Sequence, residues 1–314
     1  MLRHIGFRFV QLVIVLLIVS IVIFVLMKLA PGDPVLAILK ANEGAVSLND
    51  QHVVRAELGL EMPLYKQFGN WLLDVVAFDL GKSYMNNRDV WDIMMERLPA
   101  TISLTIGALL VLLLISVPLG VLAAQHQGRL PDHISRFIAL IGSSIPSFWL
   151  GLLLLYFFSY KLNWLPTMGN GSFRHLILPS LTLGFVMAPE YIRLLRAGLL
   201  ETLSESYIRA ARARGIAESS VMLRHALQAA LLPIISVFGM SIGSLLAGSV
   251  VTESLFGWPG LGSMAMEAIT QRNYPLIQGY VLLTGFFIVL ANLAVDISYG
   301  LLDPRIRVGR GRRV

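Results

Sequence analysis

The chain contains no cysteine and few charged residues. Among its 314 residues, Asp, Glu, Lys and Arg together make up 14% and hydrophobic residues 56%. The absence of cysteine excludes disulfides, thiolate metal sites and a cysteine nucleophile. A soluble domain carries roughly 25% charged residues. Because a globular core does not account for so little charge, we expect the chain to be surrounded mainly by lipid.

The sequence also lacks the usual motifs of catalysis and of nucleotide or metal binding. Its six histidines form no H-x-x-x-H or H-E-x-x-H pair, and no phosphate loop of the form G-x-x-x-x-G-K-[ST] occurs. The glycine-rich stretch 257–262 contains Trp258-Pro259, which does not suit a phosphate cradle. The sequence therefore predicts no catalytic residues, no metal site and no cofactor bound by the chain itself.

Long hydrophobic runs are abundant instead. A helix needs about 20 apolar residues to cross a bilayer, and the fourth run is the one most interrupted, by Pro179, Pro189 and Glu190. The first run is too long for a signal peptide, and no A-x-A-like cleavage site follows it. We expect an all-α integral membrane protein with about six transmembrane helices, at residues 9–30, 100–124, 137–160, 177–200, 229–251 and 276–299.

Basic residues indicate the orientation of these helices. With the N-terminus inside, the segments 1–8, 125–136, 193–228 and 300–314 hold 15 of the 25 Lys and Arg residues. Positive charge concentrates on the cytoplasmic side of membrane proteins, so we expect both termini in the cytoplasm. The same residues account for the net charge of +6, and a nucleic-acid partner is not needed to explain it.

The predicted organisation follows from these spans. Residues 1–30 form the N-terminal tail and first helix, and 31–99 form an extracytoplasmic segment whose apolar spacing predicts short helices. A five-helix core occupies 100–304 and contains the cytoplasmic loop 201–228. A basic cytoplasmic tail, 305–314, follows.

The loop 201–228 carries the strongest local signal. Residues 207–214 predict a short helix, with Ser204 as its start and Gly215 at its stop, and a second helix begins near residue 218. Small residues in the first helix would let a partner approach closely. Anchoring of the arginines to anionic lipid is nearly as good an interpretation. The residues that we expect to carry a partner contact are Tyr207, Arg209, Ala210, Ala211, Arg214 and Gly215.

Charges within or beside the apolar runs are candidates for a transport pathway or gate. Glu190 and Asp296 lie in the fourth and sixth runs, Glu253 ends the fifth, and Trp258 follows it. Ionisable groups inside a membrane often contact substrates or protons. The alternative is a buried ion pair or a charge at the membrane interface, which is common near helix ends.

The ordered motifs of the whole chain resemble the first permease subunits of ABC importers for dipeptides, oligopeptides, glutathione and nickel. In the loop, Ala210-Ala211-x-x-x-Gly215, followed by Pro233, resembles the "EAA" motif of those permeases, with Arg209 in place of its glutamate. The other matching motifs lie at residues 31–34, 58–67, 79–83, 98–101, 118–120, 253–262, 274–278 and 303–307.

The resemblance implies a type I importer permease in the bacterial cytoplasmic (inner) membrane. Its partners would be a second homologous permease in a heterodimer, two cytoplasmic ATPases and an extracytoplasmic solute-binding protein. ATP and Mg would bind to the ATPases, so that this subunit would be non-catalytic, and the loop would contact an ATPase.

The motifs at 129–132, 136–139 and 164–169 are most similar to nickel permeases, which favours nickel or a small nickel chelate as the solute. Peptide or glutathione import is the alternative. A secondary transporter, a channel or a membrane-embedded enzyme would need paired charges at matching depth, for which only Glu190 and Asp296 are candidates.

Overall fold

The computed structural model describes residues 2–29 and 61–302, together with the isolated positions 35, 51, 52, 55 and 59. Over these residues the chain is helical and has no strand longer than a single bridge, between Lys82 and Asp89. The all-α prediction is confirmed. The segment 31–99, in which short outer helices were expected, is described from residue 61 onward and contains one short helix, Leu64–Val76. The part before residue 61, apart from the isolated positions, and the tail 305–314 lie outside the described residues.

The helices are labelled here in chain order. They are α1 (Leu2–Leu29), α2 (Leu64–Val76), α3 (Val90–Gln125), α4 (Leu130–Ser144), α5 (Ser147–Leu154), α6 (Phe173–Leu203), α7 (Ser206–Ala213), α8 (Glu218–Ser220), α9 (Leu227–Gly248), α10 (Val250–Leu255), α11 (Leu261–Thr270) and α12 (Tyr274–Leu302). Two π-helical segments, Leu155–Lys161 and Val221–Ala226, continue α5 and α8.

Several helices have the length and apolar character to cross a membrane. In the described part of the chain these are Val10–Leu29, Val90–Gln125, Phe173–Leu203 and Tyr274–Val295. They correspond to the first, second, fourth and sixth predicted spans. The fifth predicted span lies on α9, of which Val237–Leu246 forms a shorter apolar stretch. The chain is thus a multi-pass membrane protein.

The third predicted span is not a single helix. α4 and the helix that begins with α5 are bent by 103° where they meet. Ile145 between them is extended, with φ −88° and ψ 124°. The ring of the following Pro146 disfavours the helical conformation at the preceding residue, and proline has no N–H to continue the helical hydrogen bonds. The span predicted at 137–160 is therefore divided between two helices, which form either one broken span or a re-entrant loop.

The described residues group into two compact units. The first comprises Met1–Thr101 and Pro259–Val289, and the second comprises Ile102–Trp258 and Leu290–Val314. In the first unit, α3 and α11 share a core that contains the fully buried Met94. The Leu261 N–H also donates to the buried Thr101 Oγ1 at 2.8 Å, which satisfies a backbone group at the start of α11.

The second unit is built around α6. A Cβ added at Gly184 would lie 2.6 Å from the Ala108 carbonyl oxygen, so only glycine lets α3 and α6 approach this closely. An ion pair joins α4 to α6: Arg196 Nε and Nη2 donate to Asp132 Oδ1 and Oδ2 at 2.8 and 3.0 Å. Asp132 is fully buried and also accepts the Gly128 N–H at 2.9 Å. This core extends from α6 into the loop that follows it.

Candidate functional site

The loop after α6 begins later than the sequence suggested. α6 continues to Leu203, so Glu201 belongs to it. The Ser204 hydroxyl donates to the Glu201 carbonyl at 2.7 Å and therefore closes α6. α7 begins after Glu205, which is extended, with φ −68° and ψ 149°. The expectation that Ser204 starts the loop helix is wrong, because its hydroxyl is used by the preceding helix.

One face of α7 packs against the chain itself. Ile208 and Ala211 are 0% and 2% exposed and belong to the core formed by α6, α9 and the π-helical segment before α9. Residues three apart lie on the same side of a helix, which explains why these two are buried together. Ala211 was predicted to contact a partner, but its side chain packs in the core of its own subunit.

The opposite face of α7 is exposed. Tyr207 is 45% exposed, and Arg209, Ala210 and Arg214 are exposed as well. Tyr207, Ala210 and Arg214 follow one another at helical spacing and form one outward stripe. In the described part of the chain, neither Arg209 nor Arg214 makes an ion pair. The stripe, defined here as the outer face of α7, combines an aromatic ring, a small residue and free positive charge.

A glycine turn ends this helix. Gly215 has φ +76°, and its N–H donates to the Arg212 carbonyl at 2.9 Å, while the Ile216 N–H donates to the Ala211 carbonyl at 3.3 Å. This pair of bonds is the Schellman motif, which favours glycine at the left-handed position. A Cβ at Gly215 would meet no atom within 4 Å. Among the described residues, the glycine is therefore required by the backbone conformation and not by a close approach of another segment.

An ion pair crosses the glycine turn. Arg212 Nε and Nη2 donate to Glu218 Oε2 and Oε1 at 3.0 and 2.6 Å, joining α7 to α8. The hydrogen bonds from Arg212 lower the pKa of the Glu218 carboxyl below its ordinary value of 4.5. Sequence reasoning missed this pair, because the two residues are six apart across a turn and match no helical spacing.

Acid is expected to loosen α7 through Glu218. A lowered pKa means that the pair adds its full stability above about pH 4.5, the ordinary pKa, and loses it as the pH falls through the lowered value. Hydrogen exchange should show slower exchange of the α7 amides in the wild type than in Glu218→Gln at neutral pH. The difference should vanish in stronger acid, and a difference that persists there would exclude the ion pair as its cause.

Two of the four pathway candidates, Glu253 and Trp258, are joined by a hydrogen bond. Glu253 is fully buried and accepts the Ser249 hydroxyl at 2.8 Å, and its carbonyl accepts the Trp258 N–H at 2.8 Å. Trp258 is 5% exposed. Glu190, in contrast, is exposed on α6. Asp296 lies on α12, and its side chain lies outside the described part. Among the described residues, no group of three or more His, Cys, Asp or Glu side chains could hold a metal ion.

Comparison with known proteins identifies the family. Residues 116–308 match the family described as "Binding-protein-dependent transport system inner membrane component", and residues 1–105 match the corresponding N-terminal family. The chain belongs to this family. It is a non-catalytic permease subunit of an ABC importer in the inner membrane, and it works with ATPase and solute-binding partners.

Similar proteins cover almost the whole chain. The glutathione transport system permease protein GsiC of Escherichia coli (strain K12) is 40% identical over 307 residues, which are 98% of this chain and 99% of GsiC. GsiC of Shigella flexneri serotype 5b is 39% identical over the same length. Their names do not support the predicted preference for nickel; they agree with the alternative, glutathione or peptide.

The type I permease fold has structural support as well. Two inward-facing structures of the MetNI methionine ABC transporter superpose with TM-scores of 0.58 and 0.54, at 19% and 20% identity. Each comparison covers 67% of this chain and 96% of the other. With the ABC importer family assigned, the secondary-transporter, channel and enzyme alternatives are set aside.

Proposed function

We propose that this subunit forms, with a second homologous permease, the membrane pathway of an importer for glutathione or a peptide of similar size. The observation that carries the solute assignment is 40% identity to a glutathione permease across 98% of this chain. Likeness over the full length supports a shared solute class better than the short motifs that favoured nickel. Selectivity would reside largely in the binding protein that delivers the solute.

We further propose that the outer face of α7 docks on a partner ATPase, which binds ATP and Mg. Three features support docking over simple lipid anchoring. The inner face of α7 is fixed in the core of its own subunit, so that a force on the helix would reach α6 and α9. The Schellman motif and the Arg212–Glu218 pair define the backbone conformation at the end of α7. The outer face includes Ala210, which leaves room for a partner.

The solute assignment is tested with the assembled importer. Liposomes would be reconstituted with the two permeases, the ATPases and the cognate binding protein. ATP would be supplied on the side of the membrane that the ATPases face. We expect ATP-dependent uptake of labelled glutathione. An excess of unlabelled glutathione or of a short peptide should reduce this uptake by competition. Omission of ATP is the control. Uptake of Ni²⁺, free or chelated, at a higher rate than glutathione would reject the proposal and restore nickel as the solute.

A further inference from the structure

A cleft lined by three arginines lies between α4 and α6 in the second unit. Its volume is about 400 Å³, within the range of roughly 300–1,000 Å³ typical of ligand pockets. The lining residues are Arg136, Ala139, Leu140, Ser143, Arg193 and Arg196. The arginines belong to the first turns of α4 and the last three turns of α6. Because α7 follows α6 directly, the cleft lies at the end of the unit that carries α7.

The charge of the cleft is strongly positive. Arg196 is directed by its two hydrogen bonds to Asp132, and Arg136 Nε lies 3.3 Å from the same carboxylate. Arg193 is exposed and makes no hydrogen bond or ion pair within the described part of the chain. Three guanidinium groups against one carboxylate, Asp132, leave a net charge of +2. Guanidinium groups match the geometry of phosphate oxygens and are well suited to bind them.

An exposed apolar surface adjoins these charges. Leu140, in the lining, is 62% exposed, and Phe137 and Ile134, on the preceding turns of α4, are 62% and 47% exposed. A small water-soluble anion would gain no binding free energy from this apolar surface. A molecule with a charged phosphate and hydrocarbon chains would satisfy both parts at once, because the chains would cover side chains that are otherwise unburied.

We propose that the cleft binds the headgroup phosphate of an anionic phospholipid, with its acyl chains along the exposed side of α4. The arginines hold the phosphate, while Leu140 and Phe137 contact the chains. The carboxylate of Asp132 sets the position of Arg196 beneath the headgroup. Such a lipid would bridge α4 and α6 beside the helix that leads into the loop. This inference is independent of the solute.

The test measures lipid bound to the complete importer purified in detergent. Native mass spectrometry would count the phosphatidylglycerol and phosphatidylcholine molecules retained by the wild type and by Arg193→Gln. Arg193 is exposed and has no hydrogen-bond or ion-pair partner among the described residues. One basic residue near a membrane surface contributes about 1 kcal/mol to anionic lipid binding, which corresponds to about fivefold. We expect phosphatidylglycerol retention to fall about fivefold and phosphatidylcholine retention to stay unchanged.

Arg174→Gln is the matched control, since Arg174 is an exposed arginine at the opposite end of α6. It should retain phosphatidylglycerol like the wild type. Leu140→Glu, which adds a carboxylate beside the arginines, should lower retention as Arg193→Gln does. Unchanged retention in Arg193→Gln, or equal losses in Arg193→Gln and Arg174→Gln, would overturn the proposal. Displacement of the lipid by millimolar inorganic phosphate would assign the cleft to a free anion instead.

Discussion

We expect Gly215→Trp to lower coupled transport at least tenfold while the permease still assembles in the membrane. Gly215 adopts φ +76°, and a non-glycine residue in this left-handed region costs roughly 1–2 kcal/mol. The tryptophan would therefore disturb the end of α7 and also place a large ring beside its outer face. No atom of the described residues lies within 4 Å of the added Cβ, so the start of the side chain causes no clash with them. An ATPase docked as proposed on the outer face of α7 would be displaced by the ring.

The measurement separates docking from folding. Uptake of solute by the reconstituted importer should fall at least tenfold, since a misfit of about 1.4 kcal/mol already changes an equilibrium tenfold. Co-purification of the ATPase should weaken in parallel, while the amount of permease in the membrane stays near that of the wild type. Normal uptake and normal ATPase retention would contradict the proposed docking of an ATPase on α7.

Gly81→Trp is the matched control for backbone strain. Gly81 has the same φ of +76° and likewise no atom within 4 Å of an added Cβ. It is exposed, but it lies in the first unit, far along the chain from α7. We expect this variant to transport normally. If both variants lose transport to the same extent, the loss comes from strain and not from the loss of a docking surface.

Asp132→Asn is expected to destabilise the subunit by about 3–5 kcal/mol, the range for removing one partner of a buried ion pair. Asp132 is fully buried, and the Arg196 side chain is only 23% exposed. The variant keeps the shape of the side chain but leaves the guanidinium without its counter-charge. Unfolding of the purified subunit in mixed micelles, followed by circular dichroism, would measure the change in free energy.

Glu218→Gln provides the contrast on the surface. Glu218 forms the same two-fold hydrogen bond with an arginine, but its side chain is 60% exposed. Solvent-exposed ion pairs contribute about 0–1 kcal/mol, so this variant should stay within that range. The double variant Asp132→Asn/Arg196→Gln should be less destabilised than the sum of its single variants, because it leaves no largely buried charge unpaired. Arg136, the other partner of Asp132, has a 51% exposed side chain that water can solvate. Equal, small effects of Asp132→Asn and Glu218→Gln would contradict the structural role of the buried pair.

Local patterns predicted those parts of the fold that depend on neighbouring residues. Helices α1, α3, α6 and α12 were expected from their apolar runs, because a chain in lipid must satisfy its backbone hydrogen bonds within each helix. Gly215 was expected at the end of α7, because the Schellman motif involves only the last turn and the next two residues. Pro146 is itself a local signal for a break in the helix. It lies within a long apolar run, however, and the whole run was predicted as one span.

Such local patterns could not predict contacts between residues that are far apart in the sequence. Asp132 and Arg196 are 64 positions apart, and their pairing required α4 and α6 to pack side by side. Glu253 is a charged residue at the end of an apolar run, as expected of a residue in a transport pathway. Packing nevertheless buries its side chain completely.

By itself, the sequence determined that this protein is a membrane permease of the binding-protein-dependent family, where the long apolar helices α1, α3, α6 and α12 lie, and where its loop helix ends. Only the tertiary structure decided which face of that helix is free. Ala210 and Ala211 are adjacent and chemically identical, but Ala211 lies in the core and Ala210 is exposed. The physical reason is that helical periodicity sets which residues share a face, whereas packing against α6 and α9 selects the face that is buried.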